Sequence, residues 1–122
     1  MNSKELMIGD WVRRVFDDKR IDYRQVDWIR TGEIGMRYQK VWAIGCIEPI
    51  PLTPEILEKN GWNHSNRLMI TRIDDNDFYW SEELGGILYK NQYNMCNCKY
   101  VHNLQHALRL CGLDELADNF KI

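Results

Sequence analysis

Two helix signatures, widely separated in a chain that otherwise favours strands, constrain the fold most strongly. They predict short helices over residues 53–60 and 101–111. In the first, Thr53 suits the N-cap, and Pro54 fits the first helical position, where its missing N–H would be unpaired anyway. Gly61 then ends the helix in the left-handed conformation. A helix this short depends on packing against the rest of the fold.

The second signature is an apolar stripe on the C-terminal helix. Its members recur at helical spacing: Val101, Leu104, Leu108 and Cys111. A stripe of this kind predicts that the helix lies against a sheet and that Gly112 stops it. A more polar face carries His102, His106 and Arg109, and a further helical turn is predicted at residues 113–117.

The rest of the chain favours strands separated by turns. Strands are predicted at residues 11–16, 23–29, 38–47, 68–73, 78–80 and 87–93. Gly32 and Gly35 are assigned to a loop, and Asp74 to Asp77 to a turn. The sequence therefore predicts an α+β fold in a single domain, residues 1–122. Its mostly antiparallel sheet is strongly bent, or closes into a small, partly open barrel.

Composition narrows the class of protein. The 122 residues are 44% hydrophobic and 28% charged, with a net charge of −2, which is ordinary for one globular domain and too little positive charge for a generic polyanion binder. Apolar runs are too short to span a membrane, and the N-terminus lacks the apolar core of a secretory signal. We therefore expect a cytoplasmic protein, no membrane partner and four reduced cysteines: Cys46, Cys96, Cys98 and Cys111.

The sharpest chemical pattern combines two thiols with two imidazoles. Cys96, Cys98, His102 and His106 are the residue types of a tetrahedral zinc site. However, one residue between the cysteines is tighter than the usual spacing, and structural sites join two separated ligand pairs. We predict no metal and no cofactor, and keep these four residues as the weaker alternative.

Catalytic patterns are missing from the sequence. It contains no glycine-rich phosphate loop with a following lysine and no serine in a nucleophile elbow. We therefore predict no catalytic residues. The remaining enzyme hypothesis uses His102 or His106 as a general base, which would require a deep pocket around one of them.

Aromatic residues and arginines provide the remaining candidate site. The chain has five tryptophans, most of which are expected in the core. The predicted N-terminal strands place aromatics and cations close together, and the candidate binding residues are Trp11, Arg13, Arg24, Trp28 and Arg30. Such a face suits a protein partner, because aromatics and arginine dominate interface energetics. It also suits single-stranded nucleic acid, which stacks on aromatics beside cations.

Three blocks of the sequence resemble a family of small proteins with no assigned activity. These proteins are encoded by anaerobic gut bacteria, often in prophages and other mobile elements. The blocks follow the family's order and spacing: Ile8 to Val12, Ile47 to Trp62 with Pro-Ile-Pro-Leu-Thr inside it, and Tyr100 to Gln105. The resemblance implies a cytoplasmic protein with no assigned activity, so no catalytic residue can be carried over from the family. The chain departs from the family pattern at Cys96 to Cys98 and after Cys111.

These observations give three functional hypotheses. The leading one is a non-enzymatic protein-binding module of phage or mobile-element origin. The second is a nucleic-acid-binding module that uses the arginine and tryptophan face. The third is a small enzyme or metal-binding protein that uses His102 and His106. Exposed tryptophans would favour the first two, and a pocket around a histidine would favour the third.

Overall fold

The computed structural model describes residues 1, 3–38 and 40–122, which form two antiparallel sheets and short helices. Within these ranges the N-terminal sheet has four strands in sequence order: β1 (Trp11–Val15), β2 (Ile21–Arg30), β3 (Glu33–Met36) and β4 (Lys40–Ala43). Over the same described residues the C-terminal sheet has five, again in sequence order: β5 (Asn63–Ser65), β6 (Leu68–Ile73), β7 (Asn76–Ser81), β8 (Ile87–Lys90) and β9 (Tyr93–Asn97). The α-helices of the described chain are α1 (Pro54–Lys59), α2 (Val101–Leu110) and α3 (Asp114–Asp118). One sheet curves into a half-barrel, and the predicted α+β class is confirmed.

Helix α1 forms for the predicted reasons. Thr53 is its N-cap, and the Thr53 Oγ1 accepts the backbone N–H of Ile56 at 3.2 Å. Pro54 occupies the first helical position, and Gly61 follows the helix with φ of +85°. The predicted bounds, residues 53–60, differ from the observed helix only by the capping residues.

Helix α2 also begins and ends close to the predicted bounds of 101–111. At its start, the Tyr100 backbone N–H donates to Asn103 Oδ1 at 3.1 Å, and Gly112 follows its end with φ of +76°. The predicted turn at residues 113–117 is the helix α3. None of the helices formed by the described residues is long and apolar enough to cross a membrane.

Two predictions for the N-terminal sheet were wrong. Gly35, assigned to a loop, lies inside β3, where its missing side chain leaves room for the Trp28 ring. The strand predicted at residues 38–47 is shorter, and β4 ends at Ala43 before a 3₁₀ turn at Ile44–Cys46. It ends there because Ala43 pairs with Glu33, the first residue of its partner β3.

The C-terminal sheet differs from the prediction at two strands. The strand predicted at residues 87–93 is two strands, β8 and the start of β9, because Asn91 reverses the chain with φ of +56°. Strand β5 was not predicted, since its three residues are all polar. It pairs with β6 across a turn at Asn66, which also has positive φ.

The buried apolar residues of the described chain form two clusters of unequal size. The larger has 15 residues and lies between the C-terminal sheet and the helices; it includes Trp80, Leu88 and Leu104. The smaller has seven and lies under the N-terminal sheet; it includes Val12 and Ile34. Three stripe residues of α2 are buried in the larger cluster and Cys111 packs at its edge, which confirms the predicted docking of this helix.

Candidate functional site

The outer face of the N-terminal sheet carries the candidate site. The strand register places Trp28 on β2 opposite Gly35 on β3, and Gly35 opposite Val41 on β4. Residues directly opposite one another in a sheet project from the same face. The neighbouring Ile34 projects from the other face into the smaller core. Trp28 and Val41 therefore share the face that points away from that core.

Trp28 is held flat against the sheet by its two neighbours. A Cβ at position 35 would lie 2.0 Å from the indole, so the ring occupies the space that any other residue would fill. The Arg30 guanidinium lies 4.7 Å from the ring centroid, within cation–π range. Val41, beside them, is 52% exposed. These residues form a fixed, partly exposed platform of aromatic, apolar and cationic groups.

Further apolar side chains extend this face along β1 and β2. Val15 pairs with Ile21, and Tyr23 follows two residues later on the same side of β2. All three are about two-fifths exposed, at 39%, 41% and 42%. We define the outer face as the following set: Val15, Ile21, Tyr23, Trp28, Arg30 and Val41.

The C-terminal sheet exposes fewer large apolar side chains within the described chain. Among its described strand residues, the exposed large apolar side chain is Tyr93, on the edge strand β9. One face of β6, β7 and β8 points into the larger core, and the other carries a partly buried cross-strand row: Ile70, Tyr79 and Tyr89. Exposed apolar strand residues are therefore more numerous on the N-terminal sheet, where the buried Gln25 separates Tyr23 from Trp28 along β2. Exposed apolar surface is typical of interaction sites.

Three of the five predicted binding residues are occupied by other contacts. The Trp11 Nε1 donates to the Phe120 carbonyl at 2.6 Å, and its ring packs against the larger core. Arg13 lies 3.4 Å from a Glu48 carboxylate oxygen. These two residues support the fold, whereas the predicted Trp28 and Arg30 lie on the outer face.

Arg24 is likewise engaged. Its Nε lies 3.1 Å from one Asp22 carboxylate oxygen and 3.3 Å from the other. Its guanidinium also lies 5.9 Å from the centroid of the Tyr38 ring. The positive charge of Arg24 is therefore balanced within the sheet.

The predicted histidines belong to a buried polar junction between the sheets and α2. Asp10, fully buried, accepts hydrogen bonds from His106 Nε2 at 2.6 Å, Arg109 Nη1 at 2.6 Å and the Met7 backbone N–H at 2.8 Å. Three donors satisfy the carboxylate, and a cation balances its charge, as a buried charge requires. The junction fastens the segment before β1 to the C-terminal helix.

Gln105 completes this junction. Its Nε2 donates to the carbonyls of Gly9 at 2.9 Å and Ala117 at 2.8 Å, and its Oε1 accepts the Trp11 backbone N–H at 2.9 Å. Position 9 favours glycine for two reasons: its φ is +92°, and the Cβ of any other residue would lie 2.7 Å from an Asp118 carboxylate oxygen. The segments at residues 8–12 and 100–105 thus meet here and support the architecture.

His102 is buried beside the junction. Its ring stacks on Tyr100 with centroids 5.9 Å apart and meets the edge of His106 at 5.6 Å. Burial lowers the pKa of His102 below its ordinary value, opposed by the negative charges of Asp10 and Glu5. A buried, neutral imidazole in this position is suited to packing and is shielded from substrate.

The four candidate metal ligands fall into two separate pairs. His106 binds Asp10 and touches His102, whereas the Cys96 and Cys98 sulfurs lie 3.5 Å from each other. Within the described ranges, no group of three or more histidine, cysteine or carboxylate residues is placed to hold a metal ion. The structure does not bring these four residues together.

Two clefts lie on the C-terminal half of the molecule, away from both histidines. One, of about 560 Å³, is lined by Arg67 and Glu83, which pair with each other at 3.0 Å. The other, of about 410 Å³, is mainly apolar and lies between Trp62 and Leu116. Neither cleft is lined by His102 or His106. The pocket that a histidine-based enzyme would need is not formed by these clefts.

Sequence reasoning missed two parts of this arrangement. Val41 falls within the strand predicted at residues 38–47, and its exposure depends on the register across Gly35. Asp10 is not among the predicted site residues, although it pairs with His106, 96 positions away. Nothing in the residues next to a carboxylate shows that it will be buried; only the rule that a buried charge needs a partner could have prompted a search for one.

Comparison of the chain with family models, curated proteins and solved structures gave no match.

Proposed function

We propose that this protein is a non-enzymatic protein-binding module that acts in the cytoplasm and has a phage or mobile-element origin. The outer face of the N-terminal sheet is its binding surface. The observation that carries the proposal is the platform of Trp28 on Gly35, bordered by exposed Val41. Aromatic and arginine side chains on a rigid support are favoured anchors at protein interfaces.

The charges near this surface favour a protein partner over a nucleic acid. Arg13 and Arg24 lie beside the carboxylates of Glu48 and Asp22, so their charges are offset. Nucleic-acid affinity depends strongly on uncompensated cations that displace counterions from phosphates. Trp11, one of the predicted stacking residues, is fastened to Phe120.

The polar junction argues against the enzyme hypothesis. Asp10 is neutralised by Arg109 as well as bonded to His106, so it acts as an anchor between two elements. The resemblance of the chain to small phage-borne proteins with no assigned activity also supports a binding role. Such a resemblance assigns no catalytic residue to the junction.

Affinity capture with matched surface variants tests the proposal. Val41→Lys places a charge on the outer face, and Tyr93→Lys places the same charge on the edge of the C-terminal sheet, where Tyr93 is 78% exposed. Wild type and Tyr93→Lys should retain the same specific protein from a lysate of the cells that naturally express the chain. Val41→Lys should capture at least tenfold less of that protein than wild type does. Equal retention by all three proteins would contradict the proposal.

Oligonucleotide titration separates the two binding hypotheses. Tryptophan fluorescence should not change when short single-stranded oligonucleotides are added at low salt. Quenching that weakens as salt is added, and that Arg30→Ala reduces, would instead assign the outer face to nucleic acid.

A further inference from the structure

The two thiols at the end of β9 lie in van der Waals contact. The Cys96 and Cys98 sulfurs are 3.5 Å apart. This is much closer than the roughly 6.6 Å that separates residues i and i+2 along a strand, so the two side chains lean toward each other. An irregularity in the β8–β9 register helps to set this approach, because Leu88 pairs with Cys96 while Tyr89 pairs with Asn94. Met95 is the extra residue between them, so the strand is bent next to the thiol pair.

The backbone around Cys98 is fixed on both sides. Its N–H donates to the Gly86 carbonyl at 2.6 Å, and its carbonyl accepts the Trp80 indole N–H at 2.9 Å. A Cβ at Gly86 would lie 2.9 Å from the Cys98 carbonyl oxygen, so only glycine allows this close approach. The position of the Cys98 thiol is therefore set by the surrounding fold.

The two thiols differ in access to solvent. Cys98 is completely buried in the larger core, whereas Cys96 is partly exposed. A small reagent in solution can therefore reach Cys96 and not Cys98. The pair consists of one accessible sulfur with a second, shielded sulfur in contact behind it.

Their hydrogen bond also divides the thiols by acidity. The hydrogen bond between the two sulfurs, in which Cys98 can donate to a Cys96 thiolate, lowers the pKa of Cys96 to about 7, although burial acts in the opposite direction. The same bond, together with burial, raises the pKa of Cys98. The reactive thiolate form is thus favoured on the sulfur that is exposed.

We propose that Cys96 and Cys98 form a redox-active dithiol that low-molecular-weight disulfides, such as oxidised glutathione, convert reversibly to an intramolecular disulfide. Cys96 attacks one sulfur of the oxidant as a thiolate, forms a mixed disulfide and releases one glutathione thiolate. The Cys98 sulfur then attacks the Cys96 sulfur, the second glutathione leaves, and the Cys98 proton passes to the departing glutathione thiolate. Two protein thiols are oxidised by two electrons in total, and one glutathione disulfide is reduced to two thiols.

Mass spectrometry of glutathione-treated protein tests the proposal. All proteins carry Cys46→Ser and Cys111→Ser, which remove the other thiols. After treatment with oxidised glutathione and alkylation of the remaining thiols, the Cys96–Cys98 peptide should be two hydrogens lighter and free of alkylating agent. Excess reduced glutathione should restore both alkylated thiols.

Two variants distinguish the attacking sulfur from the resolving one. Cys98→Ser should retain glutathione on Cys96 at a level at least tenfold above the parent protein, because nothing resolves the mixed disulfide. Cys96→Ser should remain unmodified at Cys98. If Cys98→Ser fails to fold, Cys98→Ala replaces it. The test on the parent protein does not depend on either variant. Unreacted thiols in the parent, or a lasting glutathione adduct on its Cys96, would overturn the proposal.

Discussion

The C-terminal sheet buries one face under α2 and the larger core, whereas the N-terminal sheet keeps apolar side chains on its outer face. On the first sheet, Phe78, Trp80 and Leu88 pack against α2 stripe residues in a single cluster. On the second, Trp28 and Val41 face outward. Among the described residues, helix α2 covers one face of the C-terminal sheet, whereas apolar side chains of the N-terminal sheet, such as Val41, remain exposed.

The buried polar junction connects these two regions. Asp10 precedes β1 of the N-terminal sheet, and its partners His106 and Arg109 lie on the helix that covers the C-terminal sheet. The two sheets are thus joined by these buried polar contacts and by the Trp11 ring, which packs against the larger core. In the predictions below, the N-terminal sheet is called the open sheet and the C-terminal sheet the closed sheet.

Removal of the Asp10 carboxylate should have the largest effect. In Asp10→Ala, the mostly buried Arg109 and its neighbour His106 lose their shared acceptor, and the free energy of unfolding should fall by about 3–5 kcal/mol. Urea denaturation measures the loss. The control is Asp77→Ala, which removes an exposed carboxylate 3.4 Å from Arg72 and should cost less than about 1 kcal/mol. Similar losses in the two variants would show that the junction does not hold the sheets together.

Truncation of a buried α2 side chain, on the closed sheet, should have the next largest effect on stability. Leu104→Ala removes a fully buried side chain of α2 and should lower the free energy of unfolding by about 3 kcal/mol. Leu110→Ala, on the same helix, removes a side chain that is 83% exposed and should change it by less than about 0.5 kcal/mol. Equilibrium denaturation compares both with wild type. A loss at Leu110 as large as at Leu104 would mean that the helix packs differently.

Addition of one methyl group at Gly35, on the open sheet, should destabilise the protein less. In Gly35→Ala, the new Cβ would lie 2.0 Å from the Trp28 ring, so the indole must move away from the sheet. Overpacking of this kind costs about 1–3 kcal/mol. Acrylamide should then quench tryptophan fluorescence more strongly than in wild type. Gly45→Ala has open space around its Cβ and serves as the control. An unchanged quenching constant in Gly35→Ala would show that Trp28 does not rest on Gly35.

The smallest effect should come from the protonation of His102. Because the folded state lowers the pKa of His102, the unfolded chain binds a proton that the folded chain resists as pH falls. The contribution of neutral His102 to the free energy of unfolding is therefore complete above about pH 6.5 and is lost progressively as the pH falls below that value. His106, Asp10 and Glu5 face this ring and remain in both proteins. The stability of His102→Gln should decline less steeply between pH 7 and pH 5 than that of wild type, and equal slopes would exclude this role.

Local signals predicted the helices well because their capping residues lie within the segments that they cap. Thr53, Pro54 and Gly61 act through neighbouring backbone groups, so the local sequence is enough to place the ends of α1. The apolar stripe of α2 is likewise a periodic pattern that needs no knowledge of the partner sheet. Its burial is the main long-range contact that could be predicted.

The outer face and the junction could not be predicted because they depend on pairings between distant strands and helices. Gly35 is a loop residue by composition, and only the register with Trp28 explains it as a strand residue. Asp10 and His106 give no periodic signal that would connect them. Exposure of Val41 similarly follows from which face the smaller core occupies.

Site-specific photocrosslinking tests the claim that the open sheet is the binding surface. Val41→benzoylphenylalanine places the crosslinker on the outer face, and Tyr93→benzoylphenylalanine places it on the closed sheet's edge strand; the two positions are 52% and 78% exposed. On irradiation in the cells that naturally express the chain, position 41 should give a discrete protein adduct of higher mass, and position 93 should give none. An adduct from position 93 alone, or the same adduct from both positions, would contradict the account.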